Sequence, residues 1–154
     1  MGFGSAISIC FRKYADFTGR ARRSEYWYFV LFTVLALFLA ILMDAILLPL
    51  ASAGPIWAVI VCSLLLPNLA VQTRRLHDIG RSGDSLVGYV LSVLAATAAT
   101  LVATALAPQA AFFVTLFVDL ATMGYALWLL ALSAMRGSDG PNPYGPDPRA
   151  AQPT

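Results

Sequence analysis

The chain has 154 residues, of which 59% are hydrophobic and only 12% are charged, and its formal net charge is +2. Soluble domains are typically about 45–50% apolar and about 25% charged, so this composition excludes an ordinary soluble domain. The two cysteines, Cys10 and Cys62, are too few for a disulfide framework.

The ten Lys and Arg residues fall in three short patches, at residues 12–23, 74–81 and 136–149. Because about 20 apolar residues cross the hydrocarbon core, the stretches between the patches predict an all-α integral membrane protein with four transmembrane helices. The predicted spans cover about residues 26–50, 55–71, 86–106 and 110–135. By the positive-inside rule, the N and C termini and the loop at 72–85 are cytoplasmic.

Residues 1–25 form a predicted cytoplasmic or interfacial segment. Apolar residues recur there at helical spacing, namely Ile7, Cys10, Phe11, Tyr14 and Phe17. This pattern predicts a short amphipathic helix in the membrane interface, with a helix docked on the other spans as the alternative. Ser24 followed by Glu25 resembles a helix N-cap with an acid in the first turn.

Residues near the ends of the first two spans predict how these helices end. Asp44 lies near the far end of the first span and is interpreted as a solvated helix end. The following Ala51-Ser52-Ala53 resembles a signal-peptide cleavage site, but the apolar run before it is too long for a signal core. In the second span, Pro67 and Asn68 predict a kink or a partly unwound end, because proline lacks a backbone donor.

The middle loop TRRLHDIGRSG is the densest polar cluster. If the second helix continues to Ile79, Arg74 pairs with Asp78 at i, i+4 and Gly80 ends the helix. Because guanidinium groups bind phosphate, this loop and the first patch form a predicted site for anions or lipid headgroups. Its residues are Arg20, Arg22, Arg23, Arg74, Arg75, His77, Asp78 and Arg81. The alternative is an ion-pair network that pins the loop at the membrane surface.

The third and fourth spans carry small and polar residues inside the membrane. Small residues repeat every four positions in the third span, from Gly88 to Thr104, which favours close helix packing or an oligomer contact. Asp119 lies within the fourth span, on one face with Thr115 and Thr122. It is interpreted as a proton or cation site, or as a protonated side chain hydrogen-bonded between helices.

Residues 136–154 form a Pro/Gly-rich tail, in which GSDGPNPYGPDP is typical of turns. Asn142, Tyr144 and Asp147 are the residues predicted to dock this tail, and a disordered tail is the alternative. The sequence shows no spacing of metal ligands, no catalytic constellation and no cofactor motif. We therefore expect no cofactor and no metal.

Three sequence blocks resemble the domain-of-unknown-function 805 family of small bacterial inner-membrane proteins. The blocks are YADFTGRARRSEYWYFVLF at residues 14–32, LPNLAVQTRRLHDIGRSG at 66–83 and GPNPYGPDP at 140–148. Asp84 and Ser85 depart from the pattern, since family members often have tryptophans there. The resemblance implies a multi-pass protein of the inner membrane and supplies no reaction.

These observations favour a non-enzymatic membrane protein whose Arg-rich face binds anionic lipid headgroups or a protein partner. A transport component for a small solute or proton, using Asp119, is the first alternative. An enzyme acting on a phosphate-bearing lipid is the second. The expected partners are anionic membrane lipids and either further copies of the chain or another membrane protein, but not nucleic acid.

Overall fold

The computed structural model describes residues 1–48 and 54–150, and its regular structure in these ranges is helical. Five α-helices follow in chain order: α1 (Phe3–Arg12), α2 (Arg23–Leu47), α3 (Pro55–Asp78), α4 (Asp84–Leu106) and α5 (Pro108–Ala134). The last four helices are long and apolar enough to cross a membrane. The predicted fold class, four spans preceded by a short helix, is confirmed.

Several helix boundaries differ from the predicted spans, the end of α3 by the most. Helix α3 extends to Asp78 and so takes in half of the predicted middle loop. Helix α2 begins at Arg23 with Arg22 at the N-cap position and without a side-chain cap, so the N-cap predicted at Ser24 is wrong. The predicted end of the first span at residue 50, and the resemblance of residues 51–53 to a cleavage site, lie outside the described residues.

The described residues divide into two compact units, one up to Arg81 and from Arg136 onward, the other Ser82–Met135. In the first unit α1 packs on α2 and α3, and these two pack on each other. The ring of Phe11 makes edge-to-face contacts with Phe29 and Phe32, with centroids 5.8 and 5.7 Å away. The contacts of α1 thus agree with a helix docked on the spans.

Helix α3 runs through Pro67 without unwinding. Proline has no N–H for the carbonyl four residues earlier, that of Ser63. The Tyr14 hydroxyl donates to this carbonyl instead. One turn on, the Asn68 side-chain amide donates to the Leu64 carbonyl at 2.8 Å. Side chains thus satisfy the carbonyls around the proline, which explains why α3 does not unwind there, as one form of the prediction had it.

Asp44 caps the start of α3. Its two carboxylate oxygens accept hydrogen bonds from the backbone N–H groups of Ile56 at 3.0 Å and Trp57 at 2.8 Å. These are first-turn donors that have no partner within the helix. The interpretation of Asp44 as a solvated helix end is therefore wrong. A Cβ on Gly54 would lie 2.7 Å from the Asp44 carboxylate, so any larger residue there would displace the capping group.

The second unit is a hairpin of α4 and α5, which pack against each other. The Tyr125 hydroxyl donates to the Ser85 carbonyl at 2.8 Å. A Cβ on Gly88 would lie 2.7 Å from the same hydroxyl, so the glycine allows this close approach. Further along the hairpin, alanines of α4 and α5 line the groove between the two helices. Gly88 thus serves helix packing inside this unit, and other small residues of α4 line an open groove beside α5.

Candidate functional site

The end of α3 is fixed by a glycine turn. Gly80 has a φ of +77°, a left-handed conformation that glycine adopts without strain. The Gly80 N–H donates to the His77 carbonyl and the Arg81 N–H to the Leu76 carbonyl, both at 3.0 Å. This pair of bonds is a Schellman motif. The helix stop predicted at Gly80 is confirmed, and it places His77 and Asp78 in the last turn of α3.

Two arginines in the last turns of α3 are buried in ion pairs. Arg74 Nη1 lies 2.7 Å from Glu25 Oε1, and these side chains are 1% and 6% exposed. Arg75, fully buried, pairs with Asp78 at i, i+3. The predicted pairing of Arg74 with Asp78 is therefore wrong. Neighbouring residues on a helix point about 100° apart, so when Arg75 faces Asp78, Arg74 faces α2.

Cys10 of α1 completes the cluster around Glu25. Its thiol donates to Glu25 Oε1 at 3.9 Å. Burial, and then the negative charge of Glu25, raise the pKa of Cys10 to about 12. The Nε and Nη2 atoms of Arg74 are buried without a hydrogen-bond partner among the described residues. The cluster joins α1, α2 and α3 and holds the first block of the sequence against the second.

The loop between α1 and α2 lies along the end of α3. The Ala21 N–H donates to the Arg74 carbonyl at 2.9 Å. His77 Nδ1 lies 3.1 Å from the Gly19 carbonyl, which can only accept, so this ring nitrogen carries the proton. Arg20 Nε donates to Asp78 Oδ1 at 3.0 Å. Asp78 therefore binds an arginine of the loop as well as Arg75 of its own helix.

The C-terminal segment, residues 137–150, lies on the same end of α3. The Ser138 N–H donates to the Asp78 carbonyl at 2.8 Å. Arg20 donates through Nη1 to the Gly140 carbonyl at 2.6 Å and through Nη2 to the Ser138 carbonyl at 2.7 Å. Arg22 Nε donates to the Pro148 carbonyl at 2.6 Å. Arginines of the first block thus hold the third block through its backbone.

Two of the three residues predicted to dock the tail contact His77. The Tyr144 ring stacks on the His77 ring with centroids 4.0 Å apart and planes within 5°. The Asn142 side-chain amide donates to the His77 carbonyl at 2.9 Å. Asp147 acts inside the segment, where it accepts from the Gly140 N–H at 3.3 Å and from Arg149. Hydrogen bonds from Arg149 hold the pKa of Asp147 well below its usual value.

An open cavity of about 410 Å³ lies where the three blocks meet. We call it the arginine cavity. Its lining residues are Arg22, Arg23, Ser24, Asp78, Arg136, Gly137, Pro148 and Arg149. Four arginines and one aspartate are among these residues. Arg136 and Arg149 both contact Asp139, at 3.2 and 2.8 Å, and Asp139 is exposed.

The predicted anion-binding residues separate into two groups. Arg22, Arg23 and Asp78 line the arginine cavity. The others do not line it; they are Arg20, Arg74, Arg75, His77 and Arg81. Sequence reasoning missed Arg136 and Arg149 as site residues. Both arginines belong to the third basic patch, which the positive-inside rule explains without a site.

The intramembrane polar residues lie in the second unit, away from these contacts in the sequence. Asp119, Thr115 and Thr122 line one groove of about 270 Å³ between α4 and α5. The prediction that they share a face thus agrees with the packing. In the described part of the chain, no group of three or more His, Cys, Asp or Glu residues could hold a metal ion.

Comparisons with known proteins identify the family but add no activity. The profile described as "Protein of unknown function (DUF805)" matches residues 14–146. The inner membrane protein YhaH of Escherichia coli K12 is 29% identical over 142 residues, which cover 90% of this chain and 91% of YhaH. Inner membrane protein YhaI of the same strain is 38% identical over 73 residues, which cover 47% of this chain and 59% of YhaI.

No solved structure matches the chain. The match to the family profile covers the first two sequence blocks and residues 140–146 of the third. The named relatives and the four membrane-spanning helices agree on location. The chain therefore belongs to the DUF805 family and is a multi-pass protein of the bacterial inner membrane.

Proposed function

We propose that this protein binds the phosphate headgroup of an anionic membrane lipid in the arginine cavity, without chemical turnover. The single observation that carries the proposal is the excess of arginine over acidic residues in the lining of one cavity. Four arginines line the cavity and Asp78 is its one acidic lining residue. Guanidinium groups bind phosphate oxygens through paired, charge-assisted hydrogen bonds.

The position of the cavity supports a lipid as the source of the phosphate. Arg23 is the first residue of α2 and Asp78 the last residue of α3, and both helices are long enough to span the membrane. The ends of spanning helices lie at headgroup depth. Positive clusters at that depth are attracted to anionic lipids. A headgroup could therefore reach the cavity while its acyl chains stay in the bilayer.

The size of the cavity also supports the proposal. Its volume of about 410 Å³ lies in the range of about 300–1,000 Å³ that is usual for small-molecule sites. Asp78 already binds Arg20 and Arg75, so its charge is compensated from outside the cavity. The ligand would therefore meet a positive site, in which Arg136 and Arg149 can exchange an exposed carboxylate for a phosphate.

Binding of a short-chain lipid to the purified full chain tests the proposal. The variant Arg136→Gln/Arg149→Gln removes two lining charges. Because hydrogen bonds to charged groups contribute about 1.5–3 kcal/mol, we expect the dissociation constant for dihexanoyl phosphatidylglycerol to rise tenfold or more. Dihexanoyl phosphatidylcholine and glycerol phosphate serve as further probes, the first for headgroup charge and the second for a soluble phosphate source.

The matched control is Arg12→Gln/Lys13→Gln, which removes the same charge from residues that do not line the cavity. This control should bind phosphatidylglycerol as the unmodified protein does. Equal weakening in both double variants would contradict the proposal, because binding would then follow net charge alone. Release of a co-purified protein by the cavity variant, with lipid binding unchanged, would favour the protein-partner alternative.

A further inference from the structure

The second unit contains a polar groove that lipid-headgroup binding does not explain. Five of its eight lining residues carry oxygen in their side chains. These are Thr97, Thr100, Thr115, Asp119 and Thr122. Asp119 lies eleven residues after the start of α5, about 16 Å along the helix, so the groove is near the middle of a spanning segment.

Two of the threonine hydroxyls in the groove donate their protons to backbone carbonyls of their own helices. Thr97 donates to the Val93 carbonyl at 2.9 Å, and Thr122 donates to the Val118 carbonyl at 3.0 Å. A hydroxyl that donates its proton to the backbone keeps its oxygen lone pairs available as acceptors. The groove therefore presents hydroxyl oxygens together with a carboxylate. Oxygen donors of this kind suit small, hard cations.

Asp119 contrasts with Asp44, a carboxylate near the end of α2. Asp44 accepts two backbone N–H bonds from the first turn of α3. For Asp119 the residues that the structure describes provide neither an ion pair nor a hydrogen bond to the carboxylate. Residues 82–135 contain no Lys, Arg or His, so the second unit cannot supply a compensating charge. An uncompensated carboxylate at this depth costs several kcal/mol.

Helix α4 lines the groove around Asp119 with residues that do not titrate. The α4 residues that line the groove are Val93, Ala96, Thr97, Thr100 and Leu101. The remaining titratable groups of the two helices lie elsewhere: Asp84 at the start of α4, and Tyr89 and Tyr125 in edge contact with each other. Proton or cation binding at Asp119 is therefore the available means of neutralising its charge within the second unit.

We propose that Asp119, with threonine hydroxyl oxygens of the same groove, binds a small monovalent cation, either a proton or Na⁺, inside the membrane. This site is independent of the arginine cavity. A transport function would require a site of this kind, but the proposal concerns binding alone.

Labelling with dicyclohexylcarbodiimide tests the proposal on the full chain in mild detergent. The acid form of a carboxyl adds across one C=N bond, and the product rearranges to an N-acylurea, so the protein gains the mass of one reagent molecule. We expect a single adduct on Asp119, formed at least tenfold faster at pH 5.5 than at pH 8.5. Asp44, whose oxygens cap α3, is the internal control and should stay unlabelled.

Two further arms identify the cation and control for folding. If labelling slows severalfold in 100 mM NaCl but not in 100 mM choline chloride, the site takes Na⁺; if both salts act alike, it takes a proton only. Asp119→Asn should lose the adduct and keep the elution volume of the unmodified protein. Labelling of Asp119 that is independent of pH, or that requires unfolding in dodecyl sulfate, would overturn the proposal.

Discussion

The hydroxyl of Tyr14 donates a hydrogen bond to the carbonyl of Ser63, the backbone acceptor that Pro67 leaves without its helical donor. A residue just after α1 thus completes the hydrogen bonding of a spanning helix. An unsatisfied carbonyl is costly where water is absent. The pairing gives α3 a reason to continue through its proline, and it ties the segment after α1 to the span.

Tyr14→Phe should therefore destabilise the protein by about 1 kcal/mol, the net contribution of a typical hydrogen bond. In a Pro67→Ala background the substituted residue gains a backbone N–H that can donate to Ser63, so the same Tyr14→Phe change should have little effect. Unfolding in dodecyl sulfate, followed by circular dichroism, measures both differences. Equal effects in the two backgrounds would show that Tyr14 stabilises the fold by some other contact.

The pair Arg74 and Glu25 should behave as a unit. Arg74→Gln leaves the buried carboxylate of Glu25 without its partner, and breaking a buried ion pair costs about 3–5 kcal/mol. The double variant Glu25→Gln/Arg74→Gln removes both charges and should regain most of that loss. Thermal unfolding of the single and double variants gives the coupling energy. Additive losses would contradict the direct pairing.

Cys10 should react slowly with thiol reagents. It is buried with a pKa of about 12, against an ordinary 9.0. Because the thiolate is the reactive form, Cys10 should react about 1,000-fold more slowly than an ordinary thiol near neutral pH. The rate of N-ethylmaleimide addition to a Cys62→Ser variant, followed by mass spectrometry, should stay low up to pH 10. A plateau already reached near pH 9 would contradict the raised pKa.

The stack of Tyr144 on His77 should hold the C-terminal segment against the end of α3. Aromatic stacking contributes about 0.5–1.5 kcal/mol, so Tyr144→Ala should speed trypsin cleavage after Arg136 by about two- to tenfold. Tyr144→Phe keeps the ring and is the matched control, for which cleavage should be unchanged. Equal rates of trypsin cleavage in the alanine and phenylalanine variants would show that the ring contact does not hold the segment on α3.

The sequence predicts the helices of this protein better than its site. Four apolar stretches between basic patches identify the spans, because lipid requires long helices without charge. The last turns of α3 do not follow this rule. Arg74 and Arg75 enter the helix because Glu25 and Asp78 neutralise them. Glu25 lies 49 residues before Arg74 in the chain. Hydropathy and helical spacing compare residues that are near in sequence, so they cannot predict such a pair.

The same limit applies to Asp44 and to the arginine cavity. In the sequence, Asp44 resembles a solvated helix end. In the structure, α3 begins beside it, and the first-turn N–H groups of α3 donate to its carboxylate. In the sequence, Arg136 and Arg149 resemble positive residues that only orient the chain in the membrane. In the structure, the C-terminal segment packs on the end of α3, and both arginines line the arginine cavity. In both cases the residue type is visible in the sequence, but its role depends on the packing of segments distant in the chain.

Headgroup binding can be examined without added lipid by native mass spectrometry of the protein extracted gently from its own membrane. If the arginine cavity binds a headgroup, we expect one retained anionic phospholipid per chain, and its loss from Arg136→Gln/Arg149→Gln but not from Arg12→Gln/Lys13→Gln. Unmodified protein that carries no lipid, or that retains zwitterionic and anionic lipids alike in all three forms, would contradict headgroup binding in the arginine cavity.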